Sequence, residues 1–192
     1  MDASFTDAKA TLRQKMRTAL ADVSPTVRLA ASIELCDRLR PQIASANQIL
    51  FYAPLADELD VWPLLEESIA LGVTCALPFF DVEKNIYGAR QIQHPATEII
   101  TGKFGVREPS ASCTEIPLDQ FNLVLVPGMA FDARGNRLGR GRGFYDRLLM
   151  LAGGIKCGIG YDGQLLAEIP TELHDAKVDF ILTPSKVSRR QT

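Results

Sequence analysis

Between Val126 and Leu149 the chain reads VPGMAFDARGNRLGRGRGFYDRLL, in which Gly135, Gly139, Gly141 and Gly143 are interleaved with Arg134, Arg137, Arg140, Arg142 and Arg147. Glycines let backbone N–H groups close around an anion. Arginines offer forked donors to phosphate oxygens, and a helix that follows turns its positive end toward them. A polyphosphate fits this chemistry. The loop carries no Gly-Lys-Ser or Gly-Lys-Thr and cannot be read as Gly-x-Gly-x-x-Gly, so the kinase and dehydrogenase readings lose their main support. A solvated basic turn, or a disordered arginine-glycine segment that binds RNA by charge, is the plainer alternative. Phe144-Tyr145 and the apolar runs on both sides argue instead for a packed loop.

Other charged groups stand apart from this loop in sequence. Lys9 and Arg13 are one helical turn apart, where like charges oppose each other unless an anion sits between them; a solvated helix face is the ordinary outcome for such a pair. Glu58 lies in an acidic run with Asp57 and Asp60, and as a helix cap Asp60 suits the sequence better. Asp146 opens the helix after the loop, a favourable place for a carboxylate without any metal. Asp175 and Asp179 are two further acids late in the chain.

The segment from Val126 to Leu149 resembles, position for position, the hallmark of 5-formyltetrahydrofolate cyclo-ligases. Lys9-x-x-Leu12-Arg13 resembles that family's lysine and arginine that meet ATP phosphates, FYAPLADELD (51–60) its folate-contacting strand end, and HDAKVD (174–179) its late acidic motif. The resemblance implies an enzyme that closes 5-formyltetrahydrofolate to 5,10-methenyltetrahydrofolate with ATP and Mg²⁺, releasing ADP and phosphate through a phosphorylated formyl intermediate. It implies ATP contacts from Lys9, Arg13, Arg137, Leu138, Gly139, Arg140, Gly141, Arg142, Gly143, Phe144 and Tyr145. Ala53, Glu58, Arg140 and Phe144 are implied at folate, Arg140, Phe144 and Tyr145 in catalysis, and Asp146 with Asp175 at Mg²⁺. Many family members carry tyrosine at the position of Phe144, so a hydroxyl contact available there is absent here. Glu108-Pro109 matches a family habit to which only a structural role is assigned.

The elements that must hold these groups alternate. Leu12, Met16 and Leu20 recur every four residues in a first helix, with Ser4 and Thr6 as caps. Ser24-Pro25 starts a second, whose buried stripe is read as Leu29, Ile33, Cys36 and Leu39 before Pro41 interrupts it. QILFYAP, VTCALP, NLVLVP, IKCGIG and VDFILTP are short apolar runs of the kind buried on both faces. DVWPLLEESIALG and YDRLLMLAGG are the helices among them, and Val82 to Cys113 reads as a hairpin around Ile86 to Ile92 followed by an irregular connection. The pattern predicts a three-layer α/β/α fold with a largely parallel central sheet, as one domain over residues 1–192. By resemblance this architecture is akin to the sugar-phosphate isomerases and CoA transferases.

Composition narrows the class. A chain of 192 residues with 46% hydrophobic content can bury one sizeable core. No apolar run approaches the ~20 residues that cross a bilayer, and the N-terminus does not read as a secretory signal. Cys36, Cys75, Cys113 and Cys157 are scattered without a Cys-x-x-Cys pair, as buried reduced thiols are. A net charge of −2 supplies no global attraction for nucleic acid. The expectation is a monomeric cytoplasmic enzyme acting on a small molecule, the folate carrying one glutamate or several, with neither nucleic acid nor membrane as partner.

Overall fold

The computed structural model describes residues 3–102, 105–172 and 175–190, with side chains from residue 7 onward. In chain order the elements are α1 (Ala3–Ala21), α2 (Pro25–Ile43), β1 (Gln48–Leu50), α3 (Trp62–Ala70), β2 (Thr74–Asp81), β3 (Ile86–Ile92), α4 (Pro95–Glu98), β4 (Ile99–Thr101) and β5 (Arg107–Pro109). There follow β6 (Glu115–Ile116), β7 (Leu123–Pro127), β8 (Ala130–Asp132), β9 (Arg137–Leu138), α5 (Phe144–Leu151), β10 (Ile155–Ile159), β11 (Leu165–Leu166), β12 (Phe180–Leu182) and β13 (Val187–Arg189).

The main sheet runs β13-β12-β10-β7-β1-β2-β3-β6. Its middle five strands pair in parallel, and antiparallel strands close both edges. Successive side chains on a strand point to opposite faces, and β7 shows why both faces are covered. Leu123 and Leu125 enter a core with α2 and α3 residues such as Leu35, Leu39 and Leu65, whereas Val124 and Val126 enter a second core with Leu148 and Leu149 of α5. A mixed α/β architecture with a largely parallel sheet between helical layers is therefore what the apolar runs foretold. A smaller sheet, β11-β8-β9, carries a third core in which Met16 of α1 meets Met129, Leu138 and Ile169. This docking holds α1 beside the chain that leaves β9.

Three local expectations need correction. In α2, Ser24 caps Val27 N–H as expected, but Leu29 and Ile33 are 63% and 55% exposed. The buried face runs through Ser32, Leu35, Cys36, Leu39 and Ile43. A serine belongs there because its hydroxyl donates to Arg28 C=O at 2.8 Å and accepts from Asp60 N–H at 2.9 Å, so burial leaves it satisfied. Pro41 does not end the helix; its missing N–H falls in the last turn, and Ala44 N–H still reaches Arg40 C=O. α1 begins at Ala3, so Ser4 and Thr6 lie within helical backbone rather than ahead of it, and their side chains lie outside the described residues.

The hairpin around Ile86 to Ile92 is present as β2 against β3, and the connection after it contains α4 and the β4–β5 ribbon. All four cysteines are free, and burial raises the thiol of Cys36 to about 11 and that of Cys75 to about 12. No helix among the described residues is long and apolar enough to cross a membrane.

Candidate active site

Open parallel sheets leave a crevice beyond the carboxyl ends of their strands. Here the chain leaving β1 supplies Ala53, Leu55 and Glu58 to that crevice, and the end of β7 supplies Pro127 and Gly128. The cleft between them measures about 680 Å³, within the range of small-molecule sites. The glycine-arginine loop bridges β9 and α5 along its rim. Gly141 and Gly143 have φ of +100° and +65°, backbone that a side chain would strain, and Gly143 occupies the N-cap of α5. The first-turn N–H groups of α5 thereby face the loop rather than a side-chain cap.

Two carboxylates in this cleft are held by arginines from the loop region. Glu58 Oε1 accepts from Arg140 Nε at 3.1 Å and Nη2 at 3.0 Å, while its Oε2 accepts from Leu55 N–H at 3.0 Å. Arg140 Nη2 also donates to Asp57 at 2.6 Å. The Glu58 side chain is only 10% exposed. Burial raises its pKa, outweighing the opposing Leu55 amide and Arg140. Asp146, in the first turn of α5, accepts from Arg137 Nη2 at 2.7 Å; Arg137 is buried and donates also to Pro127 C=O. Asp60, by contrast, accepts from Trp62 N–H at the start of α3, although the N-cap position itself is Val61, which makes no side-chain cap bond.

Lys9 is buried rather than solvated. It continues the apolar stripe of α1 and donates to Asp175 at 2.6 Å and Glu172 at 2.8 Å. Burial opposes its charge, but these two carboxylates prevail and raise its pKa. Arg13 Nε donates to Gly139 C=O at 2.9 Å and lies against Gly141, so α1 contacts the loop directly. Asp179 is committed elsewhere, accepting from Lys156 N–H at the sheet.

Of the residues expected from sequence, Ala53, Glu58, Arg137, Gly139, Arg140, Arg142, Gly143, Phe144, Tyr145 and Asp146 line the cleft. Lys9, Arg13, Leu138, Gly141 and Asp175 do not, and Leu138 turns into the core beneath α1. The Tyr145 hydroxyl has its pKa pushed far up by burial and stays protonated. Sequence reasoning missed Arg17, which lines the cleft one further turn along α1; its spacing after Lys9 and Arg13 is a legible signal. It also missed Phe79, Phe80 and Tyr87, which the β2–β3 hairpin folds over the cleft from a region with no motif.

A model of the 5-formyltetrahydrofolate cyclo-ligase family matches residues 5–184. This chain belongs to that family. Among curated relatives, the 5-formyltetrahydrofolate cyclo-ligase of Mycolicibacterium smegmatis is 31% identical across 91% of this chain and 94% of its own. That of Escherichia coli K12 is 30% identical across 77% of this chain and 83% of its own. The NMR structure of the Aquifex aeolicus 5,10-methenyltetrahydrofolate synthetase superposes with a TM-score of 0.86 at 30% identity, covering 96% of this chain and 93% of that one. The family match spans both ends of the site, from Lys9 on α1 to the acidic segment at Asp175.

Proposed function

We propose that this chain is a monomeric, single-domain cytoplasmic enzyme that closes 5-formyltetrahydrofolate to 5,10-methenyltetrahydrofolate, using ATP and Mg²⁺ and releasing ADP and phosphate. The observation that carries the reading is the Glu58–Arg140 pair, which joins the inner end of an aromatic-walled cleft to a loop built for phosphate. A carboxylate held on both oxygens, as Glu58 is, can accept paired N–H donors from a pterin ring. Four free cysteines, three of them buried, accord with a reducing compartment.

The chemistry explains the nucleotide. A formyl group on a ring nitrogen is an amide, weakly electrophilic, and its oxygen leaves poorly. In this reading the formyl oxygen attacks the γ-phosphate of ATP, ADP departs, and the neighbouring nitrogen of folate adds to the activated carbon. That nitrogen loses its proton as phosphate leaves. The protein contributes position and charge: the loop N–H groups and Arg140 face the transferring phosphoryl group, and Lys9 and Arg13 meet the nucleotide phosphates from α1. Phe144 and Tyr145 present ring surfaces to the folate, and no nucleophilic side chain is needed.

Among the described residues no cluster of three His, Cys, Asp or Glu side chains is arranged around a metal. Mg²⁺ does not need one, since one or two carboxylates suffice when phosphate oxygens and water complete six oxygen ligands. Asp146 at the rim and Asp175 beside Lys9 are hard oxygen donors of that kind, and they are the residues that would hold it. When bound, Mg²⁺ neutralises phosphate charge. For Asp175 this role entails a partner exchange, with Lys9 turning from carboxylate to phosphate.

The test is a coupled assay with 5-formyltetrahydrofolate, ATP and Mg²⁺ that follows methenyltetrahydrofolate absorbance and ADP release, omitting each component in turn. Both products, each dependent on every component, are expected. Folded protein that binds folate and ATP but releases no ADP would make the chain a binding relative instead.

A further inference from the structure

Three carboxylates line the cleft among the described residues: Glu58, Asp146 and Glu108. Glu58 is held by Arg140 and the Leu55 amide, and Asp146 by Arg137. Glu108, on β5, has no hydrogen bond or ion pair among the described residues, and burial alone raises its pKa. Its carboxyl nevertheless has a shaped place. Glu108 faces Ile100 across the β4–β5 ribbon and folds toward Gly102, where a Cβ would lie 2.4 Å from the Glu108 Cδ. Arg107, its neighbour on the strand, turns to the other face and stacks on Trp62 with the guanidinium 4.3 Å from the ring centre.

Ring closure needs such a group. The folate nitrogen that adds to the activated formyl carbon carries a hydrogen, and once the new N–C bond forms that nitrogen is a cation that must lose its proton. The lining of the cleft includes no histidine, lysine or cysteine among the described residues. Its guanidiniums, Arg142 among them, keep their protons and cannot accept one. Burial keeps the Tyr145 hydroxyl protonated, and the Tyr87 hydroxyl is engaged by Arg147. Proton transfer is most efficient when the acceptor's pKa lies near the working pH, and burial moves Glu108 in that direction.

We propose that Glu108 is the base of ring closure, taking the proton from the folate nitrogen as it bonds to the activated carbon. The inference rests on the cyclo-ligase reading. The N–H electrons stay on nitrogen, the proton goes to a Glu108 oxygen, and phosphate leaves with the electrons of the C–O bond to give the methenyl product. Glu108 is only half-buried, so it returns the proton to water before the next turnover.

The test follows ADP by rapid quench and methenyltetrahydrofolate by absorbance in a single turnover of wild type, Glu108→Gln, Glu108→Asp and Gly102→Ala. Wild type is expected to form the two products in equal amounts. In Glu108→Gln, ADP should form at the wild-type rate, because attack of the formyl oxygen on phosphate requires no base, while methenyl formation slows about a hundredfold. Water then hydrolyses the stalled intermediate back to 5-formyltetrahydrofolate and phosphate, so ADP exceeds methenyl product in the steady state. Glu108→Asp should recover part of the rate. Gly102→Ala, which displaces the carboxyl without removing it, should slow methenyl formation less than Glu108→Gln does. Slowing of ADP and methenyl formation to the same extent in Glu108→Gln would mean a structural or binding role, and unchanged rates would mean none; either overturns the assignment. Absence of turnover by wild type would overturn the cyclo-ligase reading itself.

Discussion

Lys9 and Arg140 are both cations held between two carboxylates, one at the base of α1 and the other at the tip of the glycine-arginine loop, yet they differ in burial. The Lys9 side chain is 7% exposed and its partner Asp175 13%, while Arg140 is 33% exposed. Removing one partner from a buried pair leaves a charge that neither water nor protein satisfies, whereas Arg140 and Asp57 reach solvent and Glu58, though 10% exposed, keeps the Leu55 N–H if Arg140 is lost. In the proposed mechanism the same charge arrangement would serve anchoring as well as binding at α1, and chiefly binding at the loop.

The contrast makes ordered predictions. Arg140→Ala is expected to lower kcat roughly 10²- to 10³-fold, the usual cost of one donor aimed at transition-state charge, while unfolding free energy falls by only about 1 kcal/mol. Asp146→Asn belongs with it, since asparagine keeps an oxygen for Arg137 while losing the charge proposed to hold Mg²⁺. Steady-state rates beside denaturant melts check both, and near-normal turnover in folded protein would remove either residue from the mechanism.

Lys9→Met should reverse the balance, with stability falling by about 3 kcal/mol before any question of turnover arises. An unchanged denaturation midpoint would mean that Asp175 and Glu172 find other partners and that burial does not separate the two cations.

Glu58→Gln sharpens the comparison further, because Glu58 is the most buried acid of the Arg140 group. Calorimetry should show folate binding weakened about tenfold with ATP binding retained; equal loss of both ligands would refute its folate role. The smallest effect concerns pH. Burial raises the folded-state pKa of Glu58 above its unfolded value, so the folded chain binds the proton more tightly and stability from this group falls as pH rises through that interval. The glutamine variant should therefore be slightly more stable than wild type near pH 7, with the difference vanishing below the ordinary carboxylate range. A variant less stable than wild type at pH 7 would mean that the Arg140 pairing outweighs the cost of burial.

Sequence legibility followed the range of the interactions involved. Gly72, with φ of +82°, ends α3 where the sequence indicated, and Ser24-Pro25 opens α2, because caps and turns depend on neighbours in the chain. The stripe of α2 was misread at Leu29 and Ile33 because Ser32 is buried by a bond to Asp60 N–H, which no periodicity in α2 reveals. The cleft's aromatic wall was missed for the same reason: Phe79, Phe80 and Tyr87 are ordinary strand residues until the hairpin folds beside α5.

By itself, the sequence determined that a loop rich in glycine and arginine lies between an apolar strand and a helix in an alternating α/β chain, since glycine φ freedom, arginine chemistry and hydrophobic period are properties of short segments. Only the tertiary structure decided that Arg140 closes on Glu58 across 82 residues and Lys9 on Asp175 across 166. Those pairings depend on strand order and on the docking of α1 against the small sheet. Burial, which sets what each charge does, exists only once distant segments have excluded water together.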